Sequence, residues 1–160
     1  MKIYAIIPAR SGSKGIINKN ISLIDGRPLL SYSVSFANKI SCVDRVFCST
    51  DSESYAEIAR QYGAEVPFLR SKGASTDTAM EEDILEDLRK SFIELNIPEP
   101  DIVVWLRPTF IFRSLSDVEL CIETLRSDTT LSAARTIAKS ENRLYGIENN
   151  ILIPRFKDNG

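Results

Sequence analysis

Five short apolar runs rich in β-formers, at residues 3–9, 45–50, 65–69, 102–106 and 130–134, alternate with stretches of helical spacing. Strand and helix patterns that alternate in this way describe a mostly parallel sheet with helices on both faces, because a parallel strand must be reached by a crossover, usually a helix. The expected fold is therefore a three-layer α/β/α, Rossmann-like arrangement. Helices are expected over residues 28–39, 53–62, 79–95 and 115–126. Pro28 suits a first helical turn, Gly63 suits a stop, and Pro98 with Pro100 bars continuation of the third helix. Within that helix Met80, Ile84, Leu88 and Phe92, with Leu85 and Leu95, read as one apolar stripe facing the core. Thr78 followed by Glu81, and Ser114 followed by Asp117, have the spacing of capping boxes.

A chain of 160 residues is one domain by length, and no linker or internal repeat divides it. The whole span 1–160 is accordingly read as one domain. Beyond about Ala138 the pattern shortens to candidate strands at 143–148 and 151–155 and a turn-like ending at 157–160, an ending that suggests a fragment. A net charge of −2 offers no general field for nucleic acid or an anionic membrane. The apolar run at 3–9 is strand-length and has no charged region before it, which fits neither a signal peptide nor a membrane span. The expected location is the cytoplasm. Cys42, Cys48 and Cys121 are scattered and form no C-x-x-C pair, so reduced thiols are expected. No histidine occurs among these residues, so catalysis must rest on cations, carboxylates, backbone amides or a metal held by oxygens.

The first strand runs directly into Arg10-Ser11-Gly12-Ser13-Lys14-Gly15-Ile16-Ile17-Asn18-Lys19-Asn20. In open α/β sheets ligands bind at the carboxyl ends of the strands, which is where this loop lies. Gly12 and Gly15 let backbone amides approach phosphate oxygens, and Arg10, Lys14 and Lys19 supply cations for a polyphosphate. The alternative is a tight turn with solvated cations, but folding has no need of so many cations in one glycine-bearing turn. Lys14 precedes Gly15 and no Ser or Thr follows, so this is no Walker A loop, nor is it G-x-G-x-x-G. Asp51 and Asp77 follow expected strand or loop ends, where each has two readings. They order a ribose, a basic side chain or a metal-bound water, or they serve helix starts as a cap or a favourable charge.

Ala9 to Gly15 with Asn18-Lys19-Asn20 resembles the signature of the acylneuraminate cytidylyltransferases, the CMP-sialic acid synthetases and their relatives. The resemblance continues through Ser49-Thr50-Asp51, through Tyr62 to Arg70, through Ser75 to Ala79, and through Leu106-Arg107-Pro108-Thr109 with Arg113 beyond. It implies a nucleotidyltransferase fold that binds CTP and an acidic sugar. The sugar's anomeric hydroxyl attacks the α-phosphorus and pyrophosphate leaves, helped by Mg2+. By resemblance Arg10, Lys14 and Lys19 act on the triphosphate, Ser11 and Gly12 offer backbone amides, and Asn20 and Arg70 face the ribose and cytosine. Arg107 and Arg113 fall on the sugar side, where two guanidinium groups would suit a carboxylate. The alternative for Arg107 is an internal ion pair that closes the site. A homodimer is also implied.

Four departures bear on substrate and activity. Arg107 stands where the family commonly has Gln, and Phe110-Ile111-Phe112-Arg113 replaces a Ser-Pro-Leu-Arg stretch. Met80 and Glu81 replace small hydroxyl residues, Glu81 being accounted for by the helix cap. The family's Asp-x-Asp magnesium pair has no counterpart after Asp117, so no metal ligand is assigned. Two further readings follow: a nucleotidyltransferase for another sugar acid, such as the eight-carbon acid of lipopolysaccharide, or a catalytically silent CTP-binding or assembly domain.

Overall fold

The N-terminal apolar run becomes the central strand. In the computed structural model, which describes residues 1–137 and the backbones of Tyr145–Glu148 and Ile151–Pro154, β1 (Ile3–Pro8) lies between two parallel neighbours. A hairpin follows, β2 (Leu23–Ile24) and β3 (Arg27–Pro28), closed by Asp25 and Gly26, both at positive φ. An Asp-Gly pair in that conformation is the turn that matches the twist of a two-residue hairpin. Then come α1 (Leu29–Ala37), β4 (Arg45–Ser49), α2 (Glu53–Gln61), α3 (Glu81–Glu94), β5 (Ile102–Trp105) and α4 (Leu115–Ser127). The sheet order is β4-β1-β5, all parallel, with Ile6 opposite Phe47 on one side and Trp105 on the other.

Alternation along β1 divides the core. Ile3, Ala5 and Ile7 face a cluster built with Leu30 and Val34 of α1, Ala56 and Ala59 of α2, and Ile122 of α4. Tyr4 and Ile6 face Phe47 and the α3 residues Ile84, Leu88 and Phe92. Both faces of β1 are thus covered, which explains why its sequence is continuously apolar rather than alternating. Truncating Ile6 or Ile7 to Ala is expected to cost about 2–5 kcal/mol.

Several sequence expectations are corrected. Residues 65–69 form a single parallel bridge, Phe47 to Glu65, and no longer strand. Pro67 has no N–H to give the ladder, and pairing resumes only at Arg70, whose amide donates to the Thr50 carbonyl at 2.8 Å. Residues 130–134 are exposed loop, because Asp128 captures both the amide and the hydroxyl of Thr130, at 2.9 and 2.6 Å, in a side-chain turn. In α3 the buried stripe is narrower than expected: Ile84, Leu88 and Phe92 are buried, whereas Met80, Leu85 and Leu95 are exposed. Met80 precedes the helix, and the other two lie off the i, i+4 line. The Thr78–Glu81 cap is absent. Instead Asp83 reaches back to accept the Met80 amide at 2.7 Å, while Ser114 caps α4 by accepting the Asp117 amide at 3.3 Å.

The expected C-terminal strands are seen as an antiparallel hairpin, β6 (Tyr145–Glu148) and β7 (Ile151–Pro154). The turn expected at 157–160 lies outside the described residues. The three cysteines are free thiols. Among the described residues no helix is long and apolar enough to cross a membrane.

Candidate functional site

Because β1, β4 and β5 are parallel, their C-terminal ends fall on one edge of the sheet and deliver Arg10, Asp51 and Arg107 there. The loop after β1 is tied down at both ends. At its start the Asp51 carboxylate accepts the Ser11 amide at 2.7 Å and the Ser11 hydroxyl at 3.0 Å. At its end the buried Asn20 side chain donates to the Arg10 carbonyl at 3.0 Å. Asn18 takes the left-handed conformation, φ 53°, and accepts from the Tyr55 hydroxyl at 3.3 Å. Between these ties the amides of Gly12, Lys14, Gly15, Ile16 and Ile17 have no protein acceptor among the described residues, while the Ser13 amide folds back to the Ser11 carbonyl at 2.7 Å.

The sequence expectation offered the amides of Ser11 and Gly12 to a ligand. Here the Ser11 amide is occupied by Asp51, because the end of β4 lies beside the loop's first turn, and the Gly12 amide is open. Asp51 is therefore a loop anchor, and the N-cap of α2 is Ser52.

Asp77 joins the site from a segment distant in sequence. Its Oδ1 accepts from Arg10 Nη2 at 2.7 Å and its Oδ2 from Lys14 Nζ at 2.6 Å. Hydrogen bonds from Lys14 and then Arg10 hold its carboxyl below the usual carboxylate range. Arg10 also donates to the Ser75 carbonyl at 3.4 Å. Lys19 is half-buried at the start of a short 3-10 turn, Lys19–Ile21, and makes no ion pair among the described residues.

Beneath the loop, Arg70 is only 5% exposed and donates from Nε to Ser49 Oγ at 2.9 Å and from Nη2 to the Ser49 carbonyl. Burial lowers its pKa and the Asp51 carboxylate opposes that shift. Asn20 and Arg70, expected at the ribose and cytosine, are thus engaged with the loop and β4. The neighbouring Cys48 thiol is pushed up to about 12 by burial, which removes it as a nucleophile at neutral pH.

At the end of β5 the two arginines differ. Arg107 donates from Nε and Nη2 to Glu81 Oε1 at 2.9 and 2.6 Å, and its side chain is 64% exposed. Glu81 serves this ion pair and not a helix cap. Arg113 donates to Ser33 Oγ at 3.1 Å and to the Arg107 carbonyl, and its guanidinium lies over the Phe36 and Phe110 rings. Burial lowers its pKa to about 10, so it stays charged at neutral pH. Arg113 therefore holds the strand end. A cleft of about 730 Å³ opens beside β5, lined by Glu81, Trp105, Arg107, Phe110, Phe112 and Arg113 among others.

Residue types singled out every loop cation. The expected reading of Asp77 as a carboxylate that orders a basic side chain is what the structure shows, and Arg107 takes the ion pair expected as its alternative, although neither partner was identified. Asp77 and Glu81 are the carboxylates that partner Arg10, Lys14 and Arg107, and sequence separation hides those pairings.

The chain is similar to known proteins in sequence and in fold. A family model described as cytidylyltransferase matches residues 4–145. The chain is 39% identical over 123 residues to the CMP-N,N'-diacetyllegionaminic acid synthase of Legionella pneumophila, covering 77% of this chain and 53% of that protein. It is 48% identical over 79 residues to the pseudaminic acid cytidylyltransferase of Campylobacter jejuni, covering 49% of this chain and 34% of the relative. Among solved structures, CMP:2-keto-3-deoxy-manno-octonic acid synthetase complexed with CTP superposes with a TM-score of 0.67 at 22% identity, covering 82% of this chain and 50% of the other, a likeness of fold. The chain spans about half the length of the first of these relatives.

Proposed function

The chain belongs to the cytidylyltransferase family, and from that membership we propose that it binds CTP at the loop after β1 and transfers CMP to a sialic-like acidic sugar, releasing pyrophosphate. The observation that carries the proposal is the convergence of Arg10 and Lys14 on one anion, at 2.7 and 2.6 Å, beside backbone amides without a protein acceptor among the described residues. That combination is what a polyphosphate requires.

In the proposed reaction the sugar's anomeric oxygen forms a bond to the α-phosphorus, the bond from that phosphorus to pyrophosphate breaks, and the hydroxyl proton passes to solvent. Negative charge grows on the leaving pyrophosphate, so Arg10, Lys14 and Lys19 favour the transition state by neutralising it, and no protein nucleophile is needed. Gly12 supplies an open amide, and Ser11 acts through its tie to Asp51. Asn20 and Arg70 support the nucleoside side by holding the Arg10 carbonyl and the end of β4. Magnesium belongs to the proposal as a further charge for the phosphates. The described residues contain no group of three or more acidic, cysteine or histidine side chains able to hold a metal, so no step is assigned to it.

The acceptor is proposed to be an acid because the similar proteins are named for legionaminic, pseudaminic and N-acylneuraminic acids, and because Arg107 keeps an exposed guanidinium at the cleft. Arg113 contributes by fixing the Arg107 backbone. The complete protein is proposed to work as a cytoplasmic homodimer that supplies activated sugar for surface polysaccharide such as lipopolysaccharide. The test is pyrophosphate release from CTP, with other triphosphates as controls, across acidic and neutral sugars. Release confined to CTP with acidic acceptors supports the proposal, and CTP binding without release for any sugar overturns the transferase assignment.

A further inference from the structure

Asp77 stands where two loop cations meet. One carboxylate oxygen takes Arg10 and the other takes Lys14, the arrangement that two oxygens of a phosphoryl group would make with the same pair. The Lys14 contact is exposed to solvent, Lys14 being 79% accessible, and the Arg10 contact is partly so, at 30% for Arg10, so both remain within reach of solvent and of an exchanging anion. Arg10 keeps a second bond to the Ser75 carbonyl of the same segment, so it stays near the loop when the carboxylate lets go. The open amides between Ser13 and Asn18 are not served by Asp77 and await an acceptor of their own.

We propose that Asp77 is an affinity-setting residue, an internal anion that occupies one phosphate position of the loop until a polyphosphate displaces it. This rests on the loop being the triphosphate site. A ligand with several negative charges outcompetes a single carboxylate for Arg10 and Lys14, but it must do so against that carboxylate and in its field. Neutralising Asp77 therefore strengthens binding. A supporting role, in which Asp77 keeps the two cations in place for the ligand, has the opposite sign.

The experiment is isothermal titration of the full chain with inorganic tripolyphosphate and with CTP, comparing wild type, Asp77→Asn and Asp77→Glu at neutral pH and low salt. The expected result is binding tighter in Asp77→Asn by on the order of three- to tenfold, with Asp77→Glu close to wild type. The gain should shrink when Lys14→Ala is added to Asp77→Asn, since the carboxylate then held one cation fewer. Unchanged or weaker binding in an Asp77→Asn protein that is fully folded at the titration temperature overturns the placeholder role, as does equal tightening in Asp77→Glu. Binding that is absent, or indifferent to Lys14→Ala in the wild-type background, overturns the triphosphate assignment itself, so the two failures are distinct.

Discussion

The loop side of the site and the β5 side both present arginines, but they use them differently. On the loop side Arg10 and Lys14 reach outward to a shared carboxylate from a loop whose two ends are fastened by Asp51 and Asn20. On the β5 side Arg113 is turned inward to a carbonyl and a serine, and Arg107 alone keeps an exposed guanidinium, held by Glu81. The same side chain thus serves as an exchangeable ion-pair partner or as scaffold according to what surrounds it. A guanidinium with desolvated, hydrogen-bonded nitrogens is structural, whereas one in an exposed ion pair can exchange partners at little cost. Arg70 is the structural extreme, and Lys14 is the loop cation most open to a ligand.

That contrast is broken most severely at Arg70. Replacing it by Ala leaves the buried Ser49 carbonyl without its guanidinium partner and opens a void beneath the loop. The expected loss is about 2–4 kcal/mol of folding stability, read from urea unfolding. A loss of a few tenths would show that the guanidinium is dispensable as scaffold.

Lys14→Ala tests the other extreme. With 79% of its side chain accessible, Lys14 contributes little packing, so unfolding should move by no more than about 0.5 kcal/mol. Loss of a charge-assisted contact to phosphate is expected to cost about 1.5–3 kcal/mol, which is tenfold or more in the CTP dissociation constant. An unchanged dissociation constant in the folded variant would remove Lys14 from the nucleotide site.

Arg107→Gln sharpens the comparison within the β5 side. The exposed pair with Glu81 is worth at most about 1 kcal/mol, so stability should hardly change. The acceptor KM for acidic sugars should rise while the CTP dissociation constant stays put. An unchanged acceptor profile would make the ion pair a closure of the cleft and nothing more.

What could be read beforehand follows from how local the determinants are. The continuous apolar run of β1 announces a strand covered on both faces, and the loop's glycines and cations lie within a few residues of one another. The Asp25-Gly26 turn was equally local, yet its flanking strands are too short for apolar periodicity to reveal. The run at 65–69 misled because its composition is β-like while Pro67 denies it a ladder. Asp77 and Glu81 were legible as acids near a helix start, but their partners lie 67 and 26 positions away, at Arg10 and Arg107, so only the folded sheet brings them together. For the same reason nothing local distinguishes Arg113 as scaffold from Arg107 as an exposed group.

The smallest expected effect is a pH dependence confined to the loop side. Asp77 has a folded-state pKa below its ordinary value, through Lys14 first and Arg10 second, so the folded state favours its charged form more than the unfolded state does. Its contribution is fully present above the unfolded pKa of about 4, and it is lost as pH falls through the lower, folded value. Asp128 is depressed as well, by Thr130, so the acid limb of the wild-type curve alone would mix the two. The difference between wild type and Asp77→Asn cancels Asp128, which is common to both. Urea unfolding of the two proteins across the acid range should therefore show wild type slightly the more stable at neutral pH, with the gap closing as pH drops below about 4. Because Lys14 and the carboxylate are exposed and Arg10 is only half-buried, the gap should also shrink in high salt. A gap independent of pH would mean that the Asp77 charge does not hold Arg10 and Lys14 in solution, and the loop cations would then lack the carboxylate partner that Arg107 has in Glu81.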